Sequence, residues 1–121
     1  MATQRDVRRI ALSLPGTSED PDEFRFLVEG KMFIWLWPER VVPKRARVPN
    51  PDVIVVRVGN DIDKQVLLAM DSTVFFTEPH YDGYAAVLVR LPAIDIDLLT
   101  DVVTESWRCR ASKRLIAERG G

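Results

Sequence analysis

Apolar residues recur at helical spacing at the start of the chain, where Val7, Ile10, Ala11 and Leu14 fall on one side of a 3.6-residue period. Thr3 stands where an N-cap is wanted and Pro15-Gly16 stops the periodicity, which predicts a helix from about Thr3 to Ser13. Its polar side carries Arg5, Arg8 and Arg9. The acidic stretch from Thr17 to Glu23 contains Pro21 and reads as a surface loop. Phe24 to Val28 and Lys31 to Trp37 are aromatic and branched, and Glu29-Gly30 between them suits a tight hairpin, because glycine takes positive φ at little steric cost. The run Met32 to Trp37 lacks clean alternation. Such a strand is buried on both faces, or has one face under a helix and the other against a partner.

Pro38 to Pro51 holds Pro38, Pro43, Pro49 and Pro51 among Arg40, Lys44, Arg45 and Arg47, and proline cannot donate to a strand ladder, so a long mobile loop is expected. Val53 to Val58 reads as a third strand ending at Gly59-Asn60. Asp61 then caps a short helix whose inward face is expected to be Ile62, Val66, Leu67 and Met70, ending at Asp71-Ser72. A brief strand at Thr73 to Phe76, a compact loop at Glu78 to Gly83 and the longest, most apolar strand at Tyr84 to Leu91 follow, closed by Pro92. Asp95 or Asp97 caps a last helix that runs through Leu98, Leu99, Val102, Val103 and Trp107 and continues by Lys113 to Ile116, with Gly120-Gly121 ending the chain without structure. This order predicts an α+β domain spanning residues 1–121, with an antiparallel sheet covered by helices on one face.

Composition narrows the function. At 121 residues and 46% hydrophobic content the chain can close a core without disulfides or metals. A formal charge of -1 gives no global basic field, so any contact with phosphates has to come from a local patch. Cys109 is the one cysteine, which excludes an internal disulfide and every zinc site needing two thiolates. Arg5, Asp6, Arg8 and Arg9 interrupt the first apolar residues, unlike a signal peptide, and no stretch approaches the roughly 20 apolar residues of a membrane span. A cytoplasmic protein without a membrane partner is expected.

His80, the only histidine, lies among Glu78, Tyr81, Asp82 and Tyr84, a setting compatible with acid/base work or with a loop-shaping, hydrogen-bonded ring. A nucleophile would have to come from Ser72, Thr73, Thr77 or Cys109, and none sits in a nucleophile elbow or a cysteine signature. No catalytic residue is therefore assigned. The acidic residues are scattered over caps and loops, and Gly59-Asn60-Asp61 is too short for a phosphate loop, so neither metal nor cofactor is expected. Arg108 and Arg110 beside Cys109 would lower its thiol pKa if the sulfur were exposed; a buried filler is the alternative. Two binding surfaces remain. One is basic: Arg5, Arg8 and Arg9; Lys44, Arg45 and Arg47; Arg108, Arg110, Lys113 and Arg114, which converge on phosphates if the terminal helices pack side by side and otherwise form solvated, ion-paired faces. The other is a ligand or partner face of Lys31, Phe33, Trp35, Trp37, His80 and Tyr81, where Trp37 is either core or a stacking surface.

The segments Arg9-Ile10-Ala11-Leu12-Ser13-Leu14-Pro15-Gly16-Thr17-Ser18-Glu19, Gly30-Lys31-Met32-Phe33, Val74-Phe75-Phe76-Thr77-Glu78-Pro79-His80-Tyr81-Asp82-Gly83-Tyr84 with Val87-Leu88-Val89-Arg90-Leu91, and Glu105-Ser106-Trp107 through Lys113-Arg114-Leu115 resemble the MmcQ/YjbR family over nearly the whole chain. The resemblance implies a CyaY-like α-β-α sandwich with an antiparallel sheet, no catalytic residues, and the family's usual label of DNA-binding protein. The frataxin-like fold also suggests iron handling. Such iron sites rest on an acidic first helix, whereas Arg5, Arg8 and Arg9 here face only Asp6.

Overall fold

A computed structural model describes residues 1–120. The first helix, α1 (Gln4–Ser13), begins at a reciprocal cap: the Thr3 hydroxyl accepts from the Asp6 amide, and the Asp6 carboxylate accepts from the Thr3 amide at 2.9 Å. Val7, Ile10 and Ala11 are its buried stripe. The chain then leaves through Gly16 at φ +71°, where an added Cβ would lie 2.6 Å from the Leu115 side chain. A side chain is disfavoured there twice, by the left-handed backbone and by the Leu115 methyl that would have to move.

Six antiparallel strands follow: β1 (Thr17–Glu19), β2 (Arg25–Val28), β3 (Lys31–Glu39), β4 (Val48–Arg57), β5 (Phe75–Phe76) and β6 (Ala86–Arg90), in the spatial order β1-β2-β3-β4-β6-β5. The fold is α+β. Thr17 to Glu19, expected as loop, is instead an edge strand, paired to β2 through its backbone while its side chains stay polar. The β2–β3 turn has Glu29 and Gly30 at φ +51° and +81°. Two successive positive φ values are the primed-turn geometry that matches strand twist.

The proline-rich segment is the larger departure. β3 runs on to Glu39 and β4 starts at Val48, with Trp37, Pro38 and Glu39 opposite Asn50, Pro49 and Val48, so only residues 40–47 form the loop. Prolines are tolerated here because β6 pairs with β4 only from Val53 to Arg57. The β4 edge beside Pro49 and Pro51 needs no amide donor. β4, not β6, is accordingly the longest strand.

The next helix, α2 (Asp61–Met70), is capped by Asn60 rather than Asp61 and is rotated from its expected orientation. Ile62, Val66 and Met70 are 74%, 55% and 54% exposed, while Lys64 is buried at 4%. Only Leu67 and Leu68 reach the main core, because α2 packs beside β5 and β6 at the end of the sheet. After β6, Asp95 caps α3 (Ile96–Arg110), which buries Leu99, Val102, Val103 and Trp107 against β3, β4 and α1.

The helix does not run on to Ile116. Ala111 is extended, Ser112 caps α4 (Lys113–Arg119), and Gly120 closes it in the left-handed region at φ 92°; Gly121 lies outside the described residues. The cause is Glu29, whose carboxylate accepts from the Ser112 amide at 2.8 Å and from its hydroxyl at 3.3 Å. Capping at Ser112 replaces the ladder bond that a continuous helix would have made.

The Ser112 backbone bond holds the Glu29 carboxyl below its ordinary 4.5, helped by nearby Lys31 and Arg114. A lowered folded pKa means this contact supports α4 fully above the ordinary value and loses its support as pH falls through the depressed one. Protection of the Ser112 and Leu115 amides from exchange, taken relative to the intrinsic rate at each pH, is therefore expected to fall on acidification below that range. In Glu29→Gln that protection is expected to be lower already at neutral pH and to have lost the pH dependence.

Candidate functional site

The two faces of the sheet differ in what covers them. Ile54 and Val56 of β4 and Val87 and Val89 of β6 point to α1 and α3, whereas Val53, Val55, Ala86 and Leu88 point away, to a second cluster. Among the described residues that second face carries no α-helix. Its cover is aromatic: Trp35 and Trp37 from β3, Phe76 from β5, and Tyr81 from a 3-10 turn at Pro79–Tyr81 that folds back over the sheet.

Between β3 and the 79–84 segment opens a cleft of about 520 Å³ lined by Met32, Trp35, Pro38, His80, Tyr81 and Tyr84, with Asp82 and Gly83 at its rim. The Trp35 indole donates to the Tyr81 hydroxyl at 3.3 Å. His80 meets Tyr81 edge-on at 5.0 Å between ring centres, and Tyr84 lies tilted at 5.9 Å. Burial pushes the Tyr81 phenol up from its ordinary value. The hydroxyl therefore stays protonated at neutral pH and can itself donate.

The segment is held from behind by Lys64, whose ammonium donates to the Tyr81 carbonyl at 2.7 Å and the Tyr84 carbonyl at 2.8 Å. Arg57 stacks on Tyr84 at 4.7 Å from the ring centre and bonds its hydroxyl; Arg90 covers Phe76 at 3.9 Å. None of these three cations stood out in the sequence. A signal for Lys64 existed: it lies three and four residues before Leu67 and Leu68, on the face of α2 that does reach the core.

The expected face is assembled only in part. Trp35, His80 and Tyr81 meet at the cleft; Lys31 is exposed at the hairpin outside it, and Trp37 packs beside it against Phe76, rings 5.5 Å apart. Phe33 is on the opposite side, fully buried in the helix-covered core. The reason is a bulge: Phe26 and Leu27 of β2 stand opposite Ile34 and Met32, so Phe33 is an extra residue and shares the inward side with Ile34. His80 is exposed and, among the described residues, its ring makes no hydrogen bond. Thr73 bonds Asp71, and Cys109 lies on the helix side, where its thiol donates to the Ser106 carbonyl. Burial raises that thiol's pKa and outweighs Arg57 and Arg110, the reverse of activation.

The basic residues do not gather. The Ala2 amide bonds the Leu91 carbonyl just before α3 begins, and the Trp107 indole bonds the Pro15 carbonyl just after α1 ends, so the two helices run in the same direction. Arg5 then sits near the start of α3 and Arg8 and Arg9 nearer its middle, with Arg108 and Arg110 at its far end, roughly 10–20 Å away along the axis. Arg8 is clamped by Glu19 at 2.8 and 2.9 Å, Arg9 lies 3.7 Å from Asp6, Arg108 3.5 Å from Glu105 and Arg47 3.9 Å from Glu78. Lys113 and Arg114 ride on α4, and Arg114 shares the field of Glu29 with Lys31. Lys44 and Arg45 stay at the loop tip, where the Arg45 carbonyl is bonded by Arg40.

Among the described residues no group of three or more histidine, cysteine or acidic side chains could hold a metal, and no helix is long and apolar enough to cross a membrane. No solved structure matches the chain significantly. Uncharacterized proteins of Mycobacterium bovis and of two Mycobacterium tuberculosis strains are 40% identical to it, over 96% of this chain and 94% of theirs. The YjbR family profile matches residues 12–109, a span that takes in the bulged strand, the His80 segment and most of α3, so the cleft and the helices behind it are features of a chain that belongs to the YjbR family.

Proposed function

We propose that this YjbR-family chain is a non-enzymatic binding module that receives a small planar ligand in the cleft between β3 and the 79–84 segment. The observation that carries the reading is the cleft itself, a concave site walled by Trp35, Tyr81, Tyr84 and His80 on a sheet face without a helix. Its volume lies within the roughly 300–1,000 Å³ of small-molecule sites, and aromatic walls with a few polar groups are their usual lining. The Tyr81 hydroxyl, the His80 ring and the Asp82 carboxylate supply polar contacts around an otherwise stacking surface. Among the described residues no nucleophile faces His80, and the reading assigns it no catalytic step.

Titration with indole as a planar probe, followed by proton–nitrogen NMR, is expected to shift the Trp35 indole and the Tyr84 amide while leaving the Trp107 indole in place. Trp35→Ala is expected to abolish the response, since a stacked aromatic contributes about 1–3 kcal/mol. Shifts spread evenly over the surface would remove the reading.

DNA binding is the second reading, carried by Arg5, Lys113, Arg114, Lys44 and Arg45. It is the weaker because the helix arginines are spread along the paired helices and four cations already face carboxylates. Duplex DNA at low salt is accordingly expected to give a flat titration; binding that falls steeply with added salt would restore it.

A further inference from the structure

Two strands outrun their neighbours. β2 reaches β3 only as far as Trp35 and β6 reaches β4 only as far as Val53, while β3 and β4 stay paired to Glu39 and Val48. The pair therefore continues past the sheet as a two-stranded arm, and residues 40–46 at its end are all exposed. A solvated tip has no need of apolar side chains or of an unusual backbone, and this one has both. Val41 and Val42 are 63% and 51% exposed. Val42 to Arg45 form a type II turn, with Pro43 second, Lys44 third at φ +66°, and the Arg45 amide closing on the Val42 carbonyl at 3.2 Å. The Arg40 guanidinium ties the turn again through the Arg45 carbonyl at 2.8 Å. The third place of such a turn favours glycine, and a lysine there keeps a cation at the point of the arm.

Charge is concentrated on the same residues. From position 39 to 48, Arg40, Lys44, Arg45 and Arg47 stand against the one carboxylate of Glu39, in a chain of net charge -1. Glu39 accepts from Asn50, and Arg47 turns back to the Pro38 carbonyl and lies 3.9 Å from Glu78. Among the described residues Arg40, Lys44 and Arg45 make no ion pair. Three unpaired cations ask for an anionic partner, and the valines choose among anionic partners. A phosphate backbone offers little for a branched aliphatic side chain to enter, whereas an anionic bilayer surface carries acyl chains just beneath its head groups. We infer that the tip of the β3–β4 arm docks on anionic lipid surfaces, with Val41 and Val42 entering the head-group region and Arg40, Lys44 and Arg45 meeting the lipid anions. Because two hydrogen bonds already close the turn, docking orders little additional chain. Contact of this kind is with a surface and needs no spanning helix.

Of residues 36–52 only Pro38 lines the aromatic cleft, so the two sites stand or fall separately. Co-sedimentation with vesicles, at about 0.1 M salt so that only charges close to the surface contribute, tests the inference. The partition coefficient is expected to be roughly a hundredfold higher on phosphatidylcholine carrying about a third phosphatidylserine than on phosphatidylcholine alone, since each cation near such a surface contributes about fivefold. Lys44→Gln with Arg45→Gln is expected to lower it roughly thirtyfold. Val41→Ser with Val42→Ser, which leaves every charge in place, is expected to lower it about tenfold. All four positions are exposed, so both double variants are expected to melt with the parent and to keep the indole response of the cleft. Equal partition on the two lipids, no sedimentation with either, or full binding by the serine variant would each overturn the inference. Salt-sensitive binding to duplex DNA at the same protein concentration, unchanged in the serine variant, would overturn it as well and assign the tip to nucleic acid.

Discussion

Phe33→Ala is expected to lower the stability of the fold by about 3–5 kcal/mol, the usual cost of truncating a fully buried phenylalanine. Phe33 has no exposed surface and lies in the core under α1 and α3, and its own carbonyl accepts from the buried Ser106 hydroxyl at 3.0 Å. Truncation leaves a cavity in that layer, because the surrounding strands and α3 are fixed by their ladders and cannot close on it. For a domain of this size the melting temperature is expected to drop by roughly 10–20 °C. Trp35→Ala, two residues along the same strand but half-buried on the open face, is expected to cost markedly less stability and to abolish the indole response. Were Phe33→Ala the mild variant and Trp35→Ala the unfolded one, the bulge in β3 would be assigned to the wrong side of the sheet.

That bulge marks where the sequence stops being legible. Period-based reading locates α1, the hairpin at Glu29-Gly30 and the start of α3, where Asp95 is the cap of the two candidates Asp95 and Asp97, because each is dictated by local chemistry: a capping residue, a glycine, an apolar stripe. Strand parity is different. It depends on register against β2, and one inserted residue moves Phe33 to the other face while leaving Trp35 where alternation put it. The same holds for α2, whose most apolar face is not its inner one; the helix sits at the sheet end, and Leu67, Leu68 and Lys64 are what it turns inward. Prolines 38, 49 and 51 argued against strands only for a ladder paired on both sides, and β4 is unpaired on one side there. Trp35, His80 and Tyr81 were legible as a candidate set from their types. Their meeting in one cleft needed the fold-back of residues 79–84, and that depends on a lysine from a different element. The convergence of the basic residues turned on the relative direction of α1 and α3, which no local pattern encodes.

The lysine yields the second large effect: Lys64→Met is expected to destabilise the fold by about 2–4 kcal/mol and to loosen the cleft wall in particular. The buried ammonium makes two short bonds to backbone carbonyls and none to a carboxylate, so its place is defined by the Tyr81 and Tyr84 carbonyls alone. Methionine keeps most of the length and apolar stem but donates nothing, leaving two carbonyls without their cation; each lost charge-assisted bond costs about 1.5–3 kcal/mol. Relief of the ammonium's own desolvation offsets part of the sum. The loss is local in its consequences because the segment's other ties are mostly within itself, the Tyr81 amide to Glu78, the Asp82 amide to Pro79 and the Tyr84 amide to Tyr81, with Trp35 on the Tyr81 hydroxyl and Arg57 on the Tyr84 ring and hydroxyl holding it from outside. Amide exchange at Tyr81 and Tyr84 is expected to quicken well beyond the global change, and the Trp35 indole resonance to move as its acceptor drifts. Gln65→Met, one position along on the exposed side of α2, is the matched control and is expected to stay within about 0.5 kcal/mol. If Lys64→Met left both tyrosine amides as protected as in the parent and the Trp35 indole unmoved, the cleft would owe its shape to the sheet alone, and α2 would have no part in holding it open.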